Sequence, residues 1–280
     1  MYNQFLYNSI LYNGNTNQFS GLDAQDDIVF NGFSMQNSNI IVRQLLQDST
    51  PERDLQVNAI PRGDGQYIIG DYWRRKIITM KGTIKTATNS QMEALIDEMK
   101  KALAVREAIL DIKIDGQIRR YHATMVSGNT MFNNREHYHI TFIPFEVSFV
   151  TVEPYGYSPE YEFTTIFNQT ILNLQEEISN IGTISAKPII ILNVIDAVNV
   201  TAVSFINNTR GEEVELIKNI NPGDYIVFDS EALEVRVNGT PQDYNGSFPL
   251  LNTDANSINV NVTGDSIEYT YTAKYLIPYL

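Results

Sequence analysis

The sequence predicts a mainly β protein with one helix, built as an α+β N-terminal domain followed by an all-β C-terminal domain. Short segments of alternating apolar and polar residues, separated by Gly, Pro and Asn, run through most of the chain. One segment alone repeats its apolar residues at helical spacing. These observations favour packed sheets over a helical bundle.

The chain is long enough for one large domain or two ordinary ones, because it has 280 residues. Residues 153–159 interrupt the strand pattern with two prolines, Pro154 and Pro159. We therefore expect one domain over 1–160 and a second over 161–280.

The N-terminal domain begins with short strand candidates at 27–33 and 39–43. Residues 47–66 are polar and rich in turn formers, which predicts an exposed loop or an arm. A strongly strand-like segment then extends from Trp73 to Lys85. It starts with the only tryptophan of the chain, which is followed at once by three basic residues.

The helical segment follows this strand. Ser90 is the expected N-cap, with Glu93 three residues later as in a capping box. One apolar stripe, which predicts a face packed on a sheet, comprises Met92, Leu95, Ile96, Met99 and Leu103.

Two further β segments complete the domain. Residues 110–125 predict a hairpin with a tight turn at Asp115 and Gly116. Residues 138–150 predict a strand that contains Pro144, and a proline suits an edge or a bulge better than the middle of a sheet.

The C-terminal domain reads as a β-sandwich, because its strand candidates follow one another at close intervals. They lie at 187–193, 200–206, 213–217, 225–229 and 234–237. The last long candidate, 267–275, alternates so that Ile267, Tyr269, Tyr271, Ala273 and Tyr275 share one face, which we expect to be core.

The amino-acid composition excludes several classes of protein. The hydrophobic fraction of 43% is enough for packed cores, and the chain has no cysteine for disulfides or thiolate metal sites. The N-terminus shows no signal peptide and no apolar run reaches the length of a membrane span, so we expect a protein made in the cytoplasm without membrane contact.

The negative charge is concentrated in the second half. The net charge is −13; residues 161–280 hold 5 Lys and Arg against 15 Asp and Glu, and residues 1–160 hold 15 against 18. An acidic surface repels phosphate backbones, so no specific nucleic-acid binding is expected.

No catalytic constellation stands out in the sequence. No nucleophile elbow, phosphate loop, dinucleotide fingerprint or calcium loop occurs. His137 and His139 share a strand face but lack a third ligand at a suggestive spacing, and His122 is isolated. We expect no enzyme activity, no cofactor and no metal.

The order of several motifs resembles the distal tail protein family of long-tailed, siphovirus-type phages. The N-terminal motifs are 30–33, 70–77 and 81–85 followed by the helix and hairpin. The C-terminal motifs are 222–224, 237–239, 248–250 and 256–259. The resemblance covers nearly the whole chain in order.

This resemblance implies a structural component of the phage tail tip. Members assemble through the N-terminal domain into a hexameric ring between the tail tube and the baseplate, and DNA passes through its channel. The C-terminal domain would be a sandwich like those of galectins and carbohydrate-binding modules. The implied partners are other copies of the chain, the tail tube protein, the tail-associated hub protein, receptor-binding proteins and, as a further candidate, a host surface glycan. The implied location is the virion, after synthesis in the bacterial host.

The ring needs extended edges that reach the next subunit, so candidate contact residues can be named. They are Trp73, Arg74 and Arg75, an aromatic and cationic cluster, and Pro144 on its strand. Two alternatives stay open: a monomeric carbohydrate-binding or adhesin protein, and an enzyme that degrades polysaccharide at the tail tip. The second alternative lacks a catalytic constellation.

Overall fold

The computed structural model describes residues 28–47, 51–61, 63–114, 116–129 and 142–280. The chain divides into two compact units. The first contains the described residues up to Tyr157 together with Leu280, and the second extends from Ser158 to Tyr279.

The described residues of the first unit form mainly strands, with one helix. Its strands are β1 (Ile28–Phe30), β2 (Phe33–Ser34), β3 (Ile40–Gln47), β4 (Arg53–Ala59), β5 (Gln66–Trp73), β6 (Ile77–Lys85), β7 (Ala108–Ile114), β8 (Gln117–Asn129), β9 (Phe142–Thr151) and β10 (Gly156–Tyr157), and its helix is α1 (Asn89–Leu103). The main antiparallel sheet has the order β2-β1-β7-β8-β9-β6-β3, with β10 paired to β8. Among the described strands, β4 and β5 pair only with each other.

Helix α1 packs its predicted face on this sheet. Met92, Ile96, Met99 and Leu103 are buried in the same cluster as the inward residues of the strands, and Leu95 packs against it. The predicted cap was wrong. Thr88, not Ser90, is the N-cap, and its side chain accepts a hydrogen bond from the N–H of Gln91 at 3.3 Å.

The centre of the sheet is packed so closely that one position excludes any side chain. Gly82 of β6 lies between Val42 of β3 and Phe145 of β9. A Cβ at this glycine would stand 2.5 Å from the carbonyl oxygen of Ile41 and 2.6 Å from the ring of Phe145. The close approach of backbone and ring therefore requires glycine here.

Strand β9 lies between β6 and β8 for most of its length, and the expected edge or bulge at Pro144 stays a prediction. It pairs with β6 from Phe142 to Val150 and with β8 from Glu146 to Thr151. Pro144 faces Thr83 of β6, and the described pairing with β8 begins two residues later. The proline thus lies where the missing N–H removes no described bond to β8.

The second unit contains only strands among its elements. They are β11 (Glu162–Gln169), β12 (Asn173–Asn180), β13 (Ile189–Val198), β14 (Val200–Asn207), β15 (Glu212–Ile220), β16 (Tyr225–Asp229), β17 (Glu234–Val237), β18 (Thr240–Gln242), β19 (Asn245–Gly246), β20 (Asp254–Thr263), β21 (Ser266–Tyr275) and β22 (Pro278–Tyr279). Two antiparallel sheets form, a six-stranded one of order β11-β21-β13-β16-β17-β18 and a five-stranded one of order β12-β20-β14-β15-β19.

The two sheets enclose one core, so this unit is a β-sandwich. The predicted face of β21 lies in that core, since Ile267, Tyr269, Tyr271, Ala273 and Tyr275 are all buried. The predicted fold class, mainly β with one helix among the described residues and a C-terminal sandwich, is confirmed.

Turn chemistry shapes the sandwich as the sequence indicated. Val237 pairs with Thr240 across a two-residue loop in which Asn238 has φ 52° and Gly239 φ 79°. Positive φ at both loop residues is the geometry that Asn-Gly favours in tight hairpins. The Asn238 side chain adds two bonds of 2.8 Å, to the N–H of Tyr225 and to the carboxylate of Asp224.

Three fully buried asparagines tie loops to the sandwich. Asn256 donates to the carbonyls of Ile178, Asn252 and Asp254 and accepts from the side-chain amide of Asn207. Asn180 donates to the carbonyls of Ile184 and Leu251. Buried amides are tolerated because these partners satisfy them.

Candidate assembly surface

Strands β4 and β5 form a hairpin that pairs with no other described strand; we call residues 53–73 the arm. Arg53 pairs with Trp73 at its base and Ala59 with Gln66 near its tip, with an extra residue in β5 opposite Gln56 and Val57. Within the predicted exposed loop or arm of 47–66, Arg53–Ala59 form a strand, and the arm continues to Trp73. A bulge of this kind strengthens the local twist of the ribbon.

The arm exposes an unusual amount of apolar surface. Both strands are exposed along nearly their whole length. The large apolar side chains are 42–60% exposed and comprise Leu55, Val57, Ile60, Tyr67, Ile68, Ile69 and Tyr72. A two-stranded ribbon is marginally stable alone in water, and such patches mark interaction sites. The arm has the character of a surface that a partner covers.

Charged groups hold the base of the arm. The guanidinium carbon of Arg53 lies 4.4 Å from the centroid of the Trp73 ring, and Arg53 also pairs with Asp71 at 3.4 Å. Arg74 bridges to Asp54 at 3.1 Å and Glu52 at 3.2 Å. The hydrogen bond to Asp54, with the charges of both carboxylates, raises the pKa of Arg74. Each exposed pair contributes little alone, but together they hold the two ends of the arm to each other.

The chain is anchored immediately after the arm. Lys76 is buried, and its N–H donates to the hydroxyl of Thr151 at 3.1 Å. The N–H of Thr151 in turn donates to the carbonyl of Lys76 at 3.0 Å. The Lys76 ammonium nitrogen lies 5.9 Å from the ring centroid of Tyr121. These bonds give the arm a fixed root on the sheet.

The four predicted contact residues occupy two places. Trp73 ends β5, and Arg74 and Arg75 follow it as exposed residues in the short break before β6. The predicted single strand from Trp73 to Lys85 is thus two elements, since 74–76 separate β5 from β6. Pro144 lies on β9 of the main sheet. Their role in a contact stays a prediction.

Sequence reasoning missed the apolar residues at the centre of the arm. Gln66–Trp73 contains Tyr67, Ile68, Ile69 and Tyr72, residues with high strand propensity. The glycines on either side of Asp64 are a turn signal between two such runs. Those two signals together could have indicated a hairpin.

The described residues hold no group of three or more His, Asp or Glu side chains arranged to bind a metal. His122 lies exposed on β8, and the pair His137 and His139 lies outside the described residues. Exposed aromatic rings can stack on sugars, so the exposure of the tyrosines in the second unit bears on glycan binding. Tyr269, Tyr271, Tyr275 and Tyr279 are buried, and Tyr161 and Tyr244 are exposed. Glycan binding therefore stays a prediction, with fewer rings to support it.

The C-terminal domain has a recognisable family. Residues 181–275 match the family described as the C-terminal domain of siphovirus-type tail components. None of the curated proteins matches the sequence. The one helix that the structure describes is too short and too polar to cross a membrane.

Solved structures with the same fold include one over nearly the full length. It is the Dit protein of SPP1, described as a paradigm of the hub adsorption apparatus in phages that infect Gram-positive bacteria. The two share 12% identity with a TM-score of 0.62 over 91% of this chain and 99% of that one. A chain of the phage P2 baseplate is 8% identical over 81% of this chain and 88% of its own, with a TM-score of 0.38. The second value is too low to support a common fold.

The domain match supports a structural role in a phage tail. The domain match and the fold shared with the Dit protein of SPP1 agree with the predicted resemblance to the distal tail protein family.

Proposed function

We propose that this protein forms a homo-hexameric ring at the tail tip, with residues 1–160 as the ring-forming domain. The ring joins the tail tube protein to the tail-associated hub protein and the receptor-binding proteins of the baseplate, and its channel lets DNA pass. The exposed apolar arm is the observation that carries this proposal.

The arm supports assembly because its apolar side chains need cover. The most exposed of them include Ile68 and Tyr72, both 60% exposed. Burying apolar surface releases about 25 cal/mol per Å². A closed ring lets every copy give its arm to one neighbour and receive the arm of the other, since each contact in a ring is head to tail.

The distribution of charge also supports this arrangement. Residues 1–160 carry a net charge of −3, so copies can approach through this part with little repulsion. Residues 161–280 carry −10, which disfavours close contact between copies there. The first unit suits the ring and the second suits binding of other proteins.

A substitution in the arm tests the proposal. Ile68→Glu places a charge in the surface to be buried, and Ile217→Glu is the matched control, because Ile217 is 63% exposed on β15 of the second unit. We expect six-fold rings by negative-stain microscopy for the wild type and for Ile217→Glu. Ile68→Glu should stay folded but remain monomeric in sedimentation, and its unfolding temperature should not depend on protein concentration. A wild type that sediments as a monomer at its highest soluble concentration contradicts the proposal.

A further inference from the structure

Strand β11 is the edge of the six-stranded sheet and carries two exposed phenylalanines. It pairs with β21 on one side, and no described strand pairs with its other side. Phe163 is 73% exposed and Phe167 70%, the highest values among the large apolar residues that the structure describes. Natural sheets usually blunt such an edge with charge or proline. An apolar edge of this kind fits a surface for a partner.

The pairing register of β11 defines the length of the open edge. Residues from Glu162 to Ile166 follow β21 in continuous register, and the register shifts before Gln169. Asn168 in this bulge has φ 50°, and the side-chain amide of Gln169 donates to the carbonyl of Phe167 at 2.9 Å. The bulge therefore ends the regular edge, which leaves 162–166 to pair with a short extended segment.

The two sides of the edge differ in character. Thr164 and Ile166 lie opposite the core residues Ala273 and Tyr271. Phe163 lies opposite Lys274, on the outer side of the sheet. Side chains alternate across a sheet, so every second side chain of an added strand would lie on the same outer face as the ring of Phe163.

The negative charge around β11 indicates what kind of partner segment could pair with its edge. Residues 161–280 hold 15 acidic against 5 basic side chains, and Glu160 and Glu162 flank the start of β11. Burial, followed by the charges of Glu231 and Asp229, raises the pKa of Tyr161. One basic group is also near, because the ammonium nitrogen of Lys274 lies 5.1 Å from the centroid of the Tyr161 ring. A second copy of this acidic unit would be repelled, whereas a basic segment would be attracted.

We propose that the edge of β11 binds a short extended segment of another protein, one with alternating basic and apolar residues, which adds as a strand beside 162–166. Main-chain hydrogen bonds would hold the segment, and Phe163 and Phe167 would cover its apolar side chains. This surface lies outside the matched residues 181–275 and does not depend on the ring.

The test uses the full chain and three labelled synthetic peptides. One alternates Lys and Val, one alternates Glu and Val, and one is the Lys-Val peptide with its central Val replaced by Pro. We expect the Lys-Val peptide to bind in fluorescence anisotropy and to slow amide exchange within 162–166. The other two should bind at least about tenfold more weakly, a difference of about 1.4 kcal/mol. If the proline peptide bound as tightly as the Lys-Val peptide, binding would need only charge attraction and no added strand, and the proposal would be overturned.

Variants locate the surface. The double substitution Phe163→Ala with Phe167→Ala should weaken Lys-Val binding at least about tenfold with unchanged thermal unfolding, because both rings are largely exposed. Ile217→Ala, at a residue 63% exposed on the other sheet, should leave binding unchanged. Equal weakening by Ile217→Ala, or slowed exchange at a different strand, overturns the proposal. Protection of 162–166 that grows with protein concentration in the absence of peptide would assign the edge to a second copy instead.

Discussion

Arg53 and Trp73 pair across the base of the arm, with the guanidinium carbon of Arg53 4.4 Å from the centroid of the indole ring. Both residues belong to strands that are exposed to solvent along nearly their whole length. A cation over an indole face stabilises by about 0.5–1 kcal/mol at an exposed site. The contact adds to the strand pairing and the ion pairs that hold the two ends of the arm together.

Trp73→Ala should therefore loosen the arm. We expect faster amide exchange across 53–73 and weaker ring formation, because an unpaired arm has a larger ordering cost on assembly. Trp73→Phe keeps an aromatic face for Arg53 and should lose less of both. If Trp73→Ala retains hexamers with unchanged exchange and stability, the predicted role of Trp73 is wrong.

Gly82→Ala should destabilise the first unit. Its Cβ would collide with the carbonyl oxygen of Ile41 and the ring of Phe145. We expect a loss of about 1–3 kcal/mol in the free energy of unfolding by urea. The double variant Gly82→Ala with Phe145→Leu should recover only part of that loss, since the clash with the backbone oxygen remains. Additive losses in the double variant would contradict relief through Phe145.

Two neighbouring core tyrosines on β21 should respond oppositely to loss of their hydroxyls. Tyr269 donates to the carbonyl of Ile171 at 3.1 Å, whereas the buried hydroxyl of Tyr271 has no hydrogen-bond partner among the described residues. Tyr269→Phe should cost about 1 kcal/mol, and Tyr271→Phe should be neutral or stabilising. Chemical denaturation measures both. A larger loss for Tyr271→Phe would reveal a partner for its hydroxyl.

Glu212 should make the second unit sensitive to acid. Burial opposes its ionisation, but hydrogen bonds from Arg210 at 2.8 Å and from the N–H of Leu250 at 3.0 Å lower the pKa of Glu212 below its ordinary value. A carboxyl with a lowered folded pKa stabilises fully above its unfolded pKa of about 4.3. That stabilisation disappears as pH falls through the lower folded pKa.

Glu212→Gln isolates this effect. We expect lower stability than the wild type at neutral pH and a shallower decline of the unfolding free energy below about pH 4.3. Urea titrations at a series of pH values provide the comparison. Parallel pH profiles for the two proteins would show that Glu212 does not contribute.

Local patterns predicted much of the fold. Apolar residues at every second position predicted the buried face of β21, and apolar residues at helical spacing predicted the buried stripe of α1. The cap was missed although Thr88 and Gln91 have capping-box spacing, since Ser90 and Glu93 offer the same pattern two residues later. Sequence alone could not decide between them.

The rest depends on long-range pairing. The buried role of Asn256 rests on Asn207, 49 residues away in sequence, and a polar residue in a turn-rich stretch gives no sign of it. The sequence predicted only part of the arm, because the apolar residues of β5 have the pattern of a buried strand. Their exposure follows from the absence of a neighbouring strand in the described sheet order, and that order is not encoded in periodicity.

The position of β21 in its sheet also bears on how the protein is synthesised. Thr272 pairs with Thr165 of β11 on one side and Ile191 of β13 on the other. The six-stranded sheet therefore stays incomplete on the ribosome until 266–275 have emerged. Non-local pairing of this kind is slow and leaves strand edges open to aggregation. Until then β11 and β13 lack the strand that pairs with both of them, so the sandwich closes late in the folding of the newly made chain.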